Sequence, residues 1–372
     1  MSLLTKTLAA GVVGAAVLVG APVTASAAAK VTFALPSPSG YHQVGTRTLH
    51  LVDGNRADPW KPDRKRELMV DVWYPADDAW RHPKAKWLPD GLVSEIEDFA
   101  AAPPANVPKG SVDWAGARSS GHRDAPVERG KRPVVLYSPG FGGPRAVGTT
   151  AVQDLASHGY VVVTIDHTYE TTVEFPGGRV EKNVTIPWEQ MGTALAARVA
   201  DTRFVLDELG KQRWLDGSAD LRRVGMFGHS YGGFTAGEAM LRDRRIDAGV
   251  NMDGSMFPEF GEVAKQGLDR PFFLMGGQFD MPDGSVVDHS PFTSFDASWG
   301  QFWANQKGPK RSVVYTGARH HSFSDLQPIL PQLVKPLGFP ADHFKPFVGT
   351  IDPRHSVRAQ NSDIRRFFER HL

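Results

Sequence analysis

The chain of 372 residues contains no cysteine. Disulfides, thiolate metal sites and cysteine nucleophiles are excluded together, and stability must come from packing. An excess of charge is missing too: 42 Lys and Arg stand against 41 Asp and Glu, a formal net charge of +1. That balance leaves no electrostatic footprint for nucleic acid or an anionic surface, and neither partner is expected. Beyond the first thirty residues no stretch of about 18 apolar residues occurs, so no integral membrane span is expected. G-x-x-x-x-G-K-[ST] and G-x-G-x-x-G are absent, as are internal repeats, which argues against a phosphate cradle or a repeat array. His320-His321 and the loop carrying Asp280, Asp283 and Asp288 have no recognised ligand spacing, and no metal or cofactor is expected.

What is present is enough for a large core, with 41% hydrophobic residues. The N-terminus has Lys6, an apolar run from Leu8 to Val19 and a small-residue segment, Ala25-Ser26-Ala27. This is the pattern of a secretory signal peptide over 1–27, and it predicts an exported, extracellular protein with a single domain over 28–372. Strands are expected at 68–74, 133–137, 160–165, 223–227, 248–252, 272–275 and 312–315. Helices are expected at 188–209, with Gly210 as its stop, and at 362–370. Alternation of this kind builds a mostly parallel sheet with helices on both faces, an α/β class. Between residues 76 and 131 the rhythm lapses, and the segment reads as an irregular insertion. Its Trp80, Trp87, Phe99 and Trp114 suggest that it packs on the domain or lines an entrance.

Gly228-His229-Ser230-Tyr231-Gly232 lies between an expected strand and a small, apolar, helix-like run. A G-x-S-x-G turn in that setting is a nucleophile elbow, whereas in isolation it would be a Gly-rich turn with a capping serine. A serine hydroxyl needs a histidine base and an acid that fixes the imidazole tautomer. His320, in the loop after the last strand, is the candidate base, with His321 beside it as rival. Two acids satisfy the chain order: Asp253 after the strand ending at Met252, and Asp280 after the next strand. Acyl transfer also needs two donors for the oxyanion. The backbone N–H of Tyr231 follows the serine, and Phe141 in Ser138-Pro139-Gly140-Phe141-Gly142-Gly143 is the candidate for the second.

These segments, with Val72-Trp73-Tyr74-Pro75, Asp154 to Tyr160, Met252 to Pro258 and Gly317 to Asp325, resemble the plasma-type (type II) platelet-activating factor acetylhydrolases. The resemblance spans most of the chain after the leader and implies an α/β-hydrolase fold. It further implies Ser230 as nucleophile, Asp253 as acid, His320 as base and the amides of Phe141 and Tyr231 as the oxyanion hole. Ser255 departs from the bulky aromatic of the plasma enzymes. The implied activity is Ca²⁺-independent hydrolysis of short or oxidised acyl chains from phospholipids or, more broadly, of small esters. A carboxylesterase or polyesterase of other specificity, and a peptidase, are the alternatives on the same fold.

Overall fold

The computed structural model of the protein describes residues 29–215 and 217–372. The expected leader, 1–27, lies outside the described residues. An antiparallel pair, β1 (Val44–Ala57) and β2 (Lys65–Pro75), comes first, followed by the short β3 (Lys84–Lys86) and β4 (Arg118–Arg123). Next are β5 (Arg132–Ser138), β6 (Val161–Asp166) and a small ribbon of β7 (Val173–Phe175) and β8 (Arg179–Glu181). β9 (Ala219–His229), β10 (Ala248–Met252) and β11 (Phe272–Gly276) precede a second ribbon, β12 (Gln278–Asp280) and β13 (Val286–Asp288), and then β14 (Lys310–Val314). Ten strands form one sheet in the order β14-β11-β10-β9-β5-β6-β2-β1-β4-β3. Every neighbouring pair from β14 to β6 is parallel. β2 is antiparallel to both of its neighbours.

The helices are α1 (Val93–Ala101), α2 (Thr149–Ser157), α3 (Met191–Leu209), α4 (Tyr231–Arg242), α5 (Val263–Gln266), α6 (Ala297–Asn305), α7 (Leu326–Val334), α8 (Lys345–Val348) and α9 (Pro353–His371). Strand alternation sorts the core into two layers, because successive side chains point to opposite faces. Val134 and Leu136 of β5 join Val199 and Leu206 of α3 and Phe234 and Met240 of α4. Val135 and Tyr137 join Leu155 of α2 and Ile364, Phe367 and Phe368 of α9. Each such burial contributes about 1.5–3 kcal/mol against exposure of the side chain, so both faces of the sheet must stay covered.

Residues 76–131 are more ordered than the sequence reading expected. They hold β3, α1 and β4, and their Trp87 and Trp114 are buried in a third cluster with Ile329 and Leu333 of α7. Trp80 is exposed, and Phe99 is partly so.

Strand order reverses direction between β5, which continues to β6, and β9, which continues to β10. In open α/β sheets the crevice at such a switch point, beyond the carboxyl ends of the strands, is where ligands bind. The carboxyl ends here are Ser138 and His229, which lead into the glycine loop and the serine turn.

Candidate active site

Ser230 sits between the end of β9 and the start of α4 with φ 56° and ψ −126°. A non-glycine residue at positive φ is strained, and such strain persists only where the surroundings over-determine it. They do so here through close backbone approach. A Cβ on Gly232 would lie 1.9 Å from the Ser138 carbonyl oxygen, so only glycine lets α4 begin against the β5 loop. The Ser230 N–H donates to Met252 O at 2.8 Å, which ties the turn to the end of β10. Asp253 follows with φ 60°, and its N–H donates to Met275 O at 2.8 Å.

The Asp253 carboxylate is buried. Its Oδ2 accepts from His320 Nδ1 at 2.7 Å, while its Oδ1 accepts from the Gly277 N–H at 2.9 Å and faces His289 Nδ1 at 2.9 Å. Burial works against the charge, but the hydrogen bonds and charges of His289 and His320 outweigh it and hold the carboxyl well below the usual range. His320 lies on a turn of 3-10 helix (His320–Phe323) after β14. Asp280, the other candidate acid, pairs instead with Arg319, with Nη2–Oδ1 at 2.6 Å and Nε–Oδ2 at 2.9 Å, and its side chain is 55% exposed. His321 packs between Phe99 and Phe347. Burial, then the neighbouring His320, pushes it down to about 4, so it is neutral in ordinary buffers.

Tyr231 opens α4, and its N–H belongs to the first turn, whose amides have no acceptor within the helix. Phe141 lies in the loop after β5, its ring edge-on to Tyr231 at 5.7 Å. That loop is held from below by Arg198 of α3, which is 1% exposed. The guanidinium donates to Pro139 O at 2.7 Å, Ser138 Oγ at 3.1 Å and Gly140 O at 3.2 Å, and it pairs with Glu170. Glu170 in turn accepts from the Gly142 N–H at 3.3 Å.

Sequence reasoning missed Arg198, His229 and His289. Arg198 had a signal: it falls on the apolar stripe of the helix, beside Leu195 and Val199. His229, a free letter of the motif, donates its Nε2 to the His320 carbonyl at 2.9 Å. Burial above all keeps its imidazole neutral. His289 carries no local pattern at all.

Two hollows meet at Ser230, His320 and Phe141. One, of about 520 Å³, is walled by Leu88, Leu92, Ile96, Phe99 and Leu326. The other, also about 520 Å³, is aromatic, with Trp188, Phe257, Phe279 and Phe295. Both are within the usual size of a small-molecule site. Among the described residues no group of three or more His, Asp or Glu side chains is arranged to hold a metal ion. No described helix is long and apolar enough to cross a membrane.

A mostly parallel sheet covered on both faces, with a strained serine turn at its switch point, defines the α/β-hydrolase fold. The chain belongs to the family described as platelet-activating factor acetylhydrolase, isoform II, whose model matches residues 27–174 and 196–372. It is similar to a probable 1-alkyl-2-acetylglycerophosphocholine esterase of Arthroderma benhamiae, with 28% identity over 80% of this chain and 78% of that one. A platelet-activating factor acetylhydrolase of Cavia porcellus is 24% identical over 78% of this chain and 69% of its own. Among solved structures, a ferulic acid esterase from Streptomyces cinnamoneus superposes with a TM-score of 0.73 at 34% identity, covering 91% of this chain and 93% of that one. The protein is a carboxylic ester hydrolase.

Proposed function

We propose that the protein is an exported serine esterase that cleaves short or oxidised acyl groups from small esters, phospholipids included, through an acyl-enzyme on Ser230. The observation that carries this reading is the 2.7 Å contact of His320 Nδ1 with the buried Asp253, with Ser230 and His320 bordering the same two hollows. In this scheme Ser230 Oγ attacks the ester carbonyl as His320 Nε2 takes its proton. The oxyanion is met by the N–H groups of Phe141 and Tyr231. The alkoxide leaves with the proton returned by His320, and water activated by the same imidazole releases the acid. Asp253 keeps Nδ1 protonated, so that Nε2 is the basic nitrogen throughout.

An aromatic acyl group is the second reading, and one observation favours it. Residues 175–195 fall between the two stretches matched by the family model. They contribute Ile186, Trp188 and Met191 to the aromatic hollow, so this wall lies outside the stretches that the family model matches. The similar Streptomyces cinnamoneus protein is named for ferulic acid esters. The test is a panel of p-nitrophenyl esters from C2 to C16, methyl ferulate, an acetylated ether phospholipid and an aminoacyl nitroanilide. Rates that fall steeply with chain length support the first reading, and a preference for the ferulate supports the second. A maximum at C16, or preference for the anilide, overturns both.

A further inference from the structure

On the second oxygen of Asp253 lies a histidine that the scheme above does not use. His289 follows β13, is 1% exposed, and stacks on Trp299 with ring centroids 3.8 Å apart. Phe279 and Phe295 meet it edge-on at 5.7 and 5.5 Å. Its Nδ1 is 2.9 Å from Asp253 Oδ1 and its Nε2 is 3.0 Å from Asp296 Oδ2. A neutral imidazole has one N–H and one lone pair, whereas an ionised carboxylate only accepts. Both contacts are hydrogen bonds only if both ring nitrogens carry protons, or if one of the acids does.

The other donors favour ionised acids. Asp296 also accepts from the Ser298 N–H at 2.9 Å and its Oγ at 2.6 Å. Asp253 accepts from Gly277 and His320, as described. Burial opposes a charge on His289, but the hydrogen bonds and charges of Asp253 and Asp296 outweigh it and push the imidazole up to about 9. An indole face under a cation adds to this.

We propose that His289, carried as an imidazolium between Asp253 and Asp296, is a positioning residue of the esterase site. It fixes the rotamer of Asp253 and offsets part of the negative charge that His320 Nδ1 faces across the other oxygen. This rests on the reading of Ser230, His320 and Asp253 as the catalytic set. The reason is electrostatic: a bare buried carboxylate 2.7 Å from an imidazole favours the imidazolium in the resting enzyme, which is then no base. A cation on the far oxygen weakens that pull without removing the hydrogen bond.

The other groups around the two imidazoles leave a clean readout. Facing His320 are Asp253, His229 and His321, with the Arg319–Asp280 pair one residue away. His229 and His321 are held neutral above all by burial. Facing His289 are the two carboxylates and three uncharged rings.

His289→Asn keeps an N–H for Asp253 without the charge. Asp296→Asn leaves Asp253 untouched, and asparagine serves as well as aspartate at the N-cap of α6. In both variants of the full chain the acid limb of kcat/KM is expected to move to higher pH by about one unit, with rates near pH 9 closer to those of the parent. Nitrogen-15 NMR of the His289 ring is expected to show both nitrogens protonated at pH 7, in the parent and in Ser230→Ala. Folded variants that lose only melting temperature while the acid limb stays in place overturn the proposal. So does a neutral His289 ring at pH 7, a reading that needs neither a folded variant nor turnover. The underlying assignment fails separately, if Asp253→Asn keeps the parent's rate.

Discussion

Replacing Asp253 by asparagine preserves the outline of the side chain but presents His320 Nδ1 with an amide in place of a charge. The imidazole then settles in the wrong tautomer, and the expected loss is about 10⁴ in turnover, as for the equivalent change in serine proteases. Asp280→Asn is expected to cost only a few-fold, through the half-exposed pair with Arg319. Esterase assays of the two variants, with melting curves as a folding control, decide the point: a dead Asp280→Asn beside a working Asp253→Asn refutes the proposed acid. Ser230→Ala is expected to abolish both turnover and fluorophosphonate labelling, and label on another serine refutes the nucleophile. The serine turn was legible because its signal is local, two glycines around a serine between a strand and a helix. For the acid, chain order alone left two candidates, because Asp253 and Asp280 follow adjacent parallel strands, β10 and β11, and only the family resemblance pointed to Asp253. Only three dimensions bring His320 Nδ1 to one and Arg319 to the other. His289 reaches the site from 36 residues beyond Asp253, a distance over which no spacing rule operates.

At the scale of elements, α3 ties the core to the glycine loop of the candidate site through Arg198. Its Arg198 is buried with Glu170, and removing one partner of a buried ion pair strands the other at a cost of about 3–5 kcal/mol. Arg198→Met is therefore expected to lower the denaturation midpoint sharply and to reduce turnover as well, because the Pro139 and Gly140 carbonyls lose their donor. The double variant Arg198→Met with Glu170→Leu separates the two effects. Stability is expected to return in large part, since apolar replacements of a buried pair are often neutral, while turnover stays low. Full recovery of both by the double variant shows that the guanidinium does not hold the loop. Elements buried on both faces were the ones the sequence displayed: β10 runs over 248–252, the very residues expected, and α3 ends at Leu209 as Gly210 suggested. β1 was hidden, for Val44–Ala57 is mostly polar, with Leu49, Leu51 and Val52 the apolar residues of its middle, and gains its order from pairing with β2. α9 begins at Pro353, nine residues before the expected start, because Asp352 caps it through the His355 N–H and its first turns are polar. Helix α1 escaped for a related reason: its apolar side is completed by α7, more than 200 residues away.

Over the whole molecule the buried titratable groups set how stability varies with pH, and their signs can be worked out. Burial above all pushes the Asp325 carboxyl up from 3.8 to about 7, against the hydrogen bonds from Thr150 and Trp87. A raised value means that the folded state binds the proton more tightly, so this contribution is full below about pH 4 and is lost as pH rises through 7. His289, raised from 6.5 to about 9, behaves the same way at higher pH: full below about 6.5 and lost by about 9. Asp253 and Asp201 are depressed by their partners despite burial, and their contributions are present above about pH 4 and lost on acidification. The three windows leave a maximum near pH 4, with a fall on the alkaline side of roughly 3–4 kcal/mol from each raised group. The melting temperature is therefore expected to drop by several degrees between pH 5 and pH 9, in two stages that belong to different residues. Asp325→Asn should flatten the stage between pH 4 and 7, and His289→Asn the stage between 7 and 9. Melting curves of the three proteins across that range check this. A parent curve that is level from pH 5 to 9, or a variant that flattens the stage belonging to the other residue, contradicts the assignment of these two groups.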